Sequence, residues 1–335
     1  MADQPTVTPS ISAAGLARSF GAKAAVRGID LEVGEGRIFG LLGPNGAGKT
    51  TVVRMLTTLL APSGGWARVA GLDVVRQAAA VRRAIGVALQ ETALDPIMTG
   101  RELIQLQAAL HGLPGNVARQ RADALLGQLE LAGVAGDRVK TYSGGTKRRL
   151  DLALALIHRP SVLFLDEPTT GIDPTSRQAI WAQIRALSQE QGTTIFLTTQ
   201  YLEEADRLCD ELAIMDNGAI VRRGAPEVLK AQVDVPTLLV TVAAEHSERA
   251  ASILAGFGQA RPGPRGALGI GLAGGAPAVA DAVRALDAGG VLIEHLHLDL
   301  PTLEDVFADA TGHQMSAETS EEPGRVGADI LQEQG

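Results

Sequence analysis

The chain has 335 residues, 45% hydrophobic and 20% charged, with 39 glycines and one cysteine. That apolar share excludes a disordered chain, and the lone Cys209 excludes a disulfide framework and fits a reducing compartment. Thirty basic against 38 acidic residues leave −8, which argues against a nucleic-acid partner held by bulk charge.

The length suggests two domains, and with aromatics at only 3% their core must be aliphatic. Met1 to Ser10 is polar and carries Asp3, so it lacks the basic start and apolar run of a signal peptide. The longest apolar stretches, such as Leu152–Ile157, fall far short of the ~18 residues that cross a bilayer. The expectation is a cytosolic chain that reaches a membrane only through a partner.

Residues 11–35 alternate apolar and polar around Gly21 and Gly28, the pattern of a short antiparallel hairpin. Ile38–Leu42 is a continuous apolar run suited to a strand buried on both faces. A helix is expected from Gly48 to Leu60. Further buried strands are expected at Ile85–Leu89, Val162–Leu165, Thr194–Thr198 and Leu212–Met215. Helical segments lie between them near 101–111, 117–131, 144–158, 174–191 and 201–208. Strands alternating with helices imply a largely parallel sheet wrapped by helices.

After Gly224 the texture changes. Strands at Leu238–Val242, Leu268–Leu272 and Val291–Leu298, with helices near 247–256, 277–287 and 302–310, suggest a small separate α/β unit. From His313 periodicity ends. Half of the net charge sits in residues 317–335, which suggests a disordered acidic tail.

Three motifs carry the chemistry. Gly43-Pro44-Asn45-Gly46-Ala47-Gly48-Lys49-Thr50 matches G-x-x-x-x-G-K-[ST] after a buried strand and before a helix, the context a phosphate loop requires. Its glycines let successive N–H groups turn inward on phosphates, and the helix N-terminus adds partial positive charge. Lys49 is a compact charge for the β- and γ-phosphates, a task for which the planar fork of Arg is the wrong shape. Only five of the 30 basic residues are Lys (Lys23, Lys49, Lys140, Lys147 and Lys230), so its presence here is informative. Thr50 offers a hydroxyl to Mg2+, and Thr51 follows it into the helix.

The second motif is Val162–Glu167, a buried strand ending in two acids. Asp166 suits an outer position around Mg2+, and Glu167 points towards the γ-phosphate, where it can polarise a water. The third is Tyr142-Ser143-Gly144-Gly145-Thr146 ahead of a helix; alone, Ser143 reads better as an N-cap with glycines in the first turn.

Together these residues resemble the nucleotide-binding subunit of an ATP-binding cassette (ABC) transporter, with the pieces in that family's order from about Ile11 to Lys230. The resemblance implies a P-loop NTPase fold: a parallel-sheet core, an antiparallel β subdomain, a helical signature subdomain and a small C-terminal α/β extension. It implies ATP and Mg2+, with Gly43, Asn45, Gly46, Gly48, Lys49, Thr50 and Thr51 around the phosphates. Phe20 falls where an aromatic stacks on adenine. Gln90 matches the glutamine that contacts Mg2+ and senses the membrane partner. Ser143-Gly144-Gly145 is where the signature that grips a γ-phosphate belongs, and Asp173 lies in the loop that crosses to the other subunit.

Two departures accompany the match. The signature begins with Tyr142 rather than Leu and has Thr146 rather than Gln. After the strand at 194–198 stands Gln200 where most of the family has His. Gln200 can hydrogen-bond the γ-phosphate or the water but cannot carry charge, so Glu167 is left to position the water. The runs Gln200–Asp206 and Leu300–Phe307 resemble the daunorubicin/doxorubicin-resistance type of bacterial ATP-binding subunit.

The expected boundaries are a flexible 1–10, an ABC domain at 11–232, a small α/β domain at 233–312 and a tail at 313–335. The resemblance implies a homodimer on the cytoplasmic face of the membrane, a separate transmembrane permease subunit and no nucleic acid. The function expected is ATP hydrolysis that energises export of a drug or other hydrophobic compound. The alternatives are a soluble ABC ATPase of the translation or DNA-repair type, or a module that binds ATP without turning it over. Minor signals take plain readings: His295 and His297 are solvated or packed, His158 caps its helix, Cys209 is packing, and Arg148-Arg149 is a solvated helix face.

Overall fold

The computed structural model describes residues 9–90, 93–264 and 266–313. Residues 1–8 of the expected flexible start and 314–335 of the expected acidic tail lie outside the described residues. Strands β1 (Ile11–Phe20) and β2 (Lys23–Val33) form the antiparallel hairpin. With β4 (Gly64–Val69) and β5 (Leu72–Asp73) they make one sheet in the order β2-β1-β4-β5.

The second sheet carries the chemistry. Its order is β10-β9-β3-β8-β7-β6, from β3 (Ile38–Leu42), β6 (Ile85–Ala88), β7 (Val162–Asp166), β8 (Thr194–Thr199), β9 (Glu211–Asp216) and β10 (Ala219–Gly224). Adjacent strands from β9 to β6 are parallel, and only the edge strand β10 runs against its neighbour.

Each central strand is buried on both faces, so alternate residues enter different cores. Phe39, Phe164 and Phe196 pack with the antiparallel sheet and α1 (Lys49–Leu56), the Phe196 ring lying 5.4 Å from Phe39 and 5.6 Å from Phe164. Ile38, Leu163 and Ile195, each one register position away, face the opposite cluster. That cluster includes residues of α3 (Gly100–Leu110), α4 (Gly115–Gln128), α5 (Gly144–Leu156), α6 (Pro174–Gln191) and α7 (Leu202–Leu208). Period-two alternation, which marks a strand with one wet face, here divides two dry ones.

The elements that the pattern does not show are β4, β5, α2 (Ala78–Ala84), β10, α8 (Pro226–Val233) and β12 (Gly258–Arg261). They are short, polar or at sheet edges. Helix α1 ends at Leu56, before the expected Leu60, and Thr58 follows with φ 66°.

A third, fully antiparallel sheet has the order β12-β13-β11-β14, from β11 (Thr237–Val242), β12, β13 (Ala267–Leu272) and β14 (Ile293–Asp299). Helices α9 (Ser247–Leu254) and α10 (Ala278–Ala288) pack on it and close a core around Leu238, Val240, Leu272 and Leu286. Helix α11 (Leu303–Thr311) differs from its expected grouping with this unit. Its Leu303, Val306 and Phe307 are buried in the same cluster as Ala205, Leu208 and Leu229 of α7 and α8. The chain thus returns to the first unit, where Asp309 pairs with Arg222 at 2.7 Å.

Candidate functional site

Parallel register brings four loops to one edge of the second sheet. Leu42 pairs with Thr199, Thr198 with Asp166, and Leu165 with Ala88. The segments that follow, around Gly43, Glu167, Gln200 and Gln90, therefore leave the carboxyl ends of β3, β7, β8 and β6 together. Ligands of open α/β sheets bind in this crevice.

The loop Gly43–Thr50 uses its glycines where no other residue fits. Gly48 has φ 106°, and a Cβ there would stand 2.4 Å from the Ala25 carbonyl oxygen. A Cβ on Gly43 would stand 2.2 Å from the Met215 carbonyl oxygen. Helix α1 begins at Lys49 with no side chain capping its N-terminus and no acid in its first turn, leaving its first N–H groups for an anion.

Lys49 is only 4% exposed. Its Nζ donates to the carbonyls of Gly43 at 2.7 Å and Pro44 at 3.1 Å and lies 3.6 Å from Glu167 Oε1. Burial holds its pKa below the ordinary lysine value, against the raising effect of Glu167 and Asp166. A bound phosphate would act in the same direction as those acids.

The two acids are held by short hydroxyl and amide contacts. Thr50 Oγ1 donates to Asp166 Oδ1 at 3.3 Å, and Thr198 donates to the same oxygen. The Thr198 hydroxyl in turn accepts from the Glu167 N–H at 3.1 Å. Glu167 sits at φ 50°, an uncommon conformation for a residue with a side chain. Its Oε2 accepts from Gln90 Nε2 at 3.1 Å and from Thr170 Oγ1 at 3.3 Å.

Oxygens of Thr50 and Asp166 are the hard donors that Mg2+ takes. Among the described residues no group of three His, Cys, Asp or Glu could hold a metal alone. The residues therefore fit a cation whose shell is completed by phosphate oxygens and water.

A cleft of roughly 930 Å³ is lined by Phe20, Asn45, Gly46, Gly48, Lys49, Thr50, Thr51, Gln90 and Glu167, and also by Lys23 and Arg27. The Phe20 ring is 49% exposed at its rim, with the Arg18 guanidinium 4.8 Å over it. Gly43 and Asp166 adjoin the cleft through Lys49 and Thr50. Gln200 follows β8 but is not among the lining residues.

Ser143, Gly144, Gly145 and Asp173 also lie outside the cleft lining. Ser143 N-caps α5, accepting from Thr146 N at 3.2 Å, and Asp173 N-caps α6, accepting from Ser176 N at 2.9 Å. That backbone donor holds the Asp173 carboxyl below its ordinary range. The two caps are neighbours, since a Cβ on Gly145 would touch Ser176 at 3.1 Å. Ser143 and Gly144 are exposed and are not among the residues that line the cleft holding the phosphate loop.

Arg148 corrects its sequence reading. It is not solvated but 7% exposed, with its guanidinium bonded to backbone carbonyls beside the acids. Thr198 likewise gives no signal as a site residue, because a hydroxyl within a β-strand reads as ordinary strand composition. Lys23 has one available signal, its rarity among the basic residues. His295 and His297 are exposed, Cys209 is buried, and His158 Nε2 lies 2.9 Å from the Ile85 carbonyl.

Comparison with known proteins identifies the family. Residues 26–170 match the family model described as ABC transporter. The chain is 44% identical over 304 residues to Daunorubicin resistance ATP-binding protein DrrA3 of Streptomyces coeruleorubidus, covering 90% of this chain and 96% of that one. It is 43% identical to Nod factor export ATP-binding protein I of Ralstonia nicotianae, covering 66% of this chain and 69% of that one. Among solved structures, cbiO1 of Clostridium perfringens, part of an ABC transporter complex, superposes with TM-score 0.63 at 26% identity, covering 67% of this chain and 92% of that one. A dimeric ATP-binding cassette bound to ADP and Pi shares the fold, with TM-score 0.59 at 23% identity over 64% of this chain and 98% of that one. Relatives named for drug resistance and export stand against the translation or repair reading, and the chain belongs to the ABC transporter family as an ATP-binding, ATP-hydrolysing subunit.

Proposed function

We propose that this ATPase energises export of a drug or other hydrophobic compound through a separate membrane-spanning subunit. Relatives named for daunorubicin resistance and for Nod factor export support that direction and cargo class. Among the described residues no helix is long and apolar enough to cross a membrane; in this reading the pore belongs to the membrane-spanning subunit, and this chain works at the cytoplasmic face, where ATP is supplied.

The observation that carries the chemistry is Glu167, held at the cleft between Lys49 and Gln90. The loop N–H groups and Lys49 bind the phosphates. Thr50, Gln90 and Asp166 would hold Mg2+, which when bound neutralises phosphate charge and favours phosphoryl transfer. Glu167 orients the attacking water and takes its proton. Gln200, which follows the end of β8, senses the γ-phosphate through its amide.

Phe20 stacks on the base. Ser143, Gly144, Gly145 and Asp173 complete the cleft of a second copy, so the working unit is a homodimer with two shared sites. Binding draws the copies together and hydrolysis releases them. The test is drug efflux from cells expressing this chain with and without a candidate membrane-spanning subunit. Efflux that needs both chains and is lost in Glu167→Gln supports the proposal. Efflux unaffected by that substitution contradicts it.

A further inference from the structure

Arg148 lies five residues beyond Ser143, on the second turn of α5, yet every bond its guanidinium makes to another element reaches back to the catalytic edge of its own chain. Nη1 donates to the Leu89 carbonyl at 2.6 Å, immediately before Gln90. Nη2 donates to the Asp166 carbonyl at 3.0 Å and Nε to the Pro168 carbonyl at 2.9 Å, the two residues flanking Glu167. Asp151, one turn along the same helix, accepts from Nη1 at 3.1 Å and supplies the counter-charge. One planar group therefore spans the end of β6, the end of β7 and the loop leading to Asp173.

Surface arginines do not take this form. Burying a guanidinium is costly unless its donors are satisfied, and here all three of its nitrogens find carbonyl or carboxylate partners. Three of those partners are main-chain atoms, so the bonds constrain where the backbone carries its side chains. The residues so fixed are Gln90 and Glu167, which are joined to each other at 3.1 Å. The distance between these two side chains is thereby tied to the position of α5, whose N-terminus carries Ser143-Gly144-Gly145.

We propose that Arg148 is a positioning residue for hydrolysis, which holds the Gln90–Glu167 pair in register with the signature helix. The proposal rests on the reading of Glu167 as the group that orients water. A shift of α5 when Ser143 engages nucleotide in a second copy would pull on Leu89 and on both neighbours of Glu167 at once. The guanidinium is suited to this because its fork is rigid and multidentate; a lysine keeps the charge but cannot reach three carbonyls in fixed geometry.

The test compares the full chain with Arg148→Lys and Arg148→Met in steady-state ATP hydrolysis and in titration with a fluorescent ATP analogue. The expected result is a fall in kcat of at least about tenfold in both, Arg148→Lys retaining more activity, with the Kd for nucleotide within about threefold of the parent. Because Arg148→Met leaves carbonyls buried without donors, Arg148→Lys decides the matter if the methionine variant does not fold. A second readout separates positioning from general support: in a Gln90→Ala background, Arg148→Lys should cost much less, since the pair it aligns is already broken. Unchanged kcat in Arg148→Lys, a parallel loss of kcat and nucleotide affinity, or full additivity with Gln90→Ala would overturn the proposal. Undiminished hydrolysis in Glu167→Gln would instead count against Glu167 as the water-orienting group, separately from the role of Arg148.

Discussion

Gln90 Nε2 donates to Glu167 Oε2 at 3.1 Å, while Lys49 Nζ stands 3.6 Å from the other oxygen of the same carboxylate. Glu167 is thus held from both sides, Gln90 and Thr170 donating to one oxygen and the Lys49 ammonium standing beside the other. Hydrogen bonds to charged groups contribute about 1.5–3 kcal/mol, or roughly 10–100-fold in rate if the contact matters in the transition state. Gln90→Ala is expected to lower kcat by that factor while nucleotide affinity stays nearly constant. Steady-state kinetics beside a binding titration checks it.

Gly48 is predicted to be intolerant of any side chain. Its φ of 106°, and the Ala25 carbonyl oxygen 2.4 Å from where a Cβ would sit, leave only distortion of the loop. Gly48→Ala should weaken nucleotide binding by about 100-fold or more, the equivalent of about 3 kcal/mol of misplaced donors. Calorimetric titration with ATP measures the loss directly.

Burial raises the Asp151 carboxyl to about 6 despite the neighbouring Arg148 guanidinium. Since the folded value lies above the unfolded one near 3.8, the folded chain binds more protons between them. Stability from this group is therefore complete below about pH 4 and lost as pH rises to about 6. At about 1.4 kcal/mol per pH unit the whole effect is about 3 kcal/mol. The stability of the parent relative to Asp151→Asn should fall through that window and level off above it, as followed by urea unfolding. A difference independent of pH would show that folding leaves the Asp151 pKa unchanged.

Helix α11 gives a prediction of a different kind. Phe307 is fully buried in the cluster that contains Ala205, Leu208 and Leu229, not in the core of the C-terminal sheet. Phe307→Ala should destabilise the first unit by about 3–5 kcal/mol and lower the melting temperature at which ATP binding is lost. Leu286→Ala, in the separate core of the third sheet, should leave nucleotide binding unchanged at temperatures where the first unit is folded.

The contrast between Lys49 and Arg148 explains what can be read from residue order alone. Lys49 belongs to a contiguous motif whose spacing encodes its own backbone, and Asp166 and Glu167 end a short apolar run that reads as a buried strand. Such features are local, and so are the apolar runs that locate β3, β7 and β8. Arg148 reads as a charge on a helix because its partners, the carbonyls of Leu89, Asp166 and Pro168, have no signature in residue type. Edge strands such as β10 and β12 escape for a related reason: their pairing rests on a neighbour's backbone, and their side chains are largely exposed. The attachment of α11 to the first unit cannot be read from its own amphipathic pattern, which marks a buried face without naming what buries it.

Glu167→Gln tests the central claim most directly, because it keeps the shape of the side chain and removes only the carboxylate. In the purified full chain with Mg2+, this variant should bind ATP as tightly as the parent yet hydrolyse it at less than about one hundredth of the rate. Undiminished ATPase in Glu167→Gln would show that another group orients the water, and the role assigned to this carboxylate would be wrong.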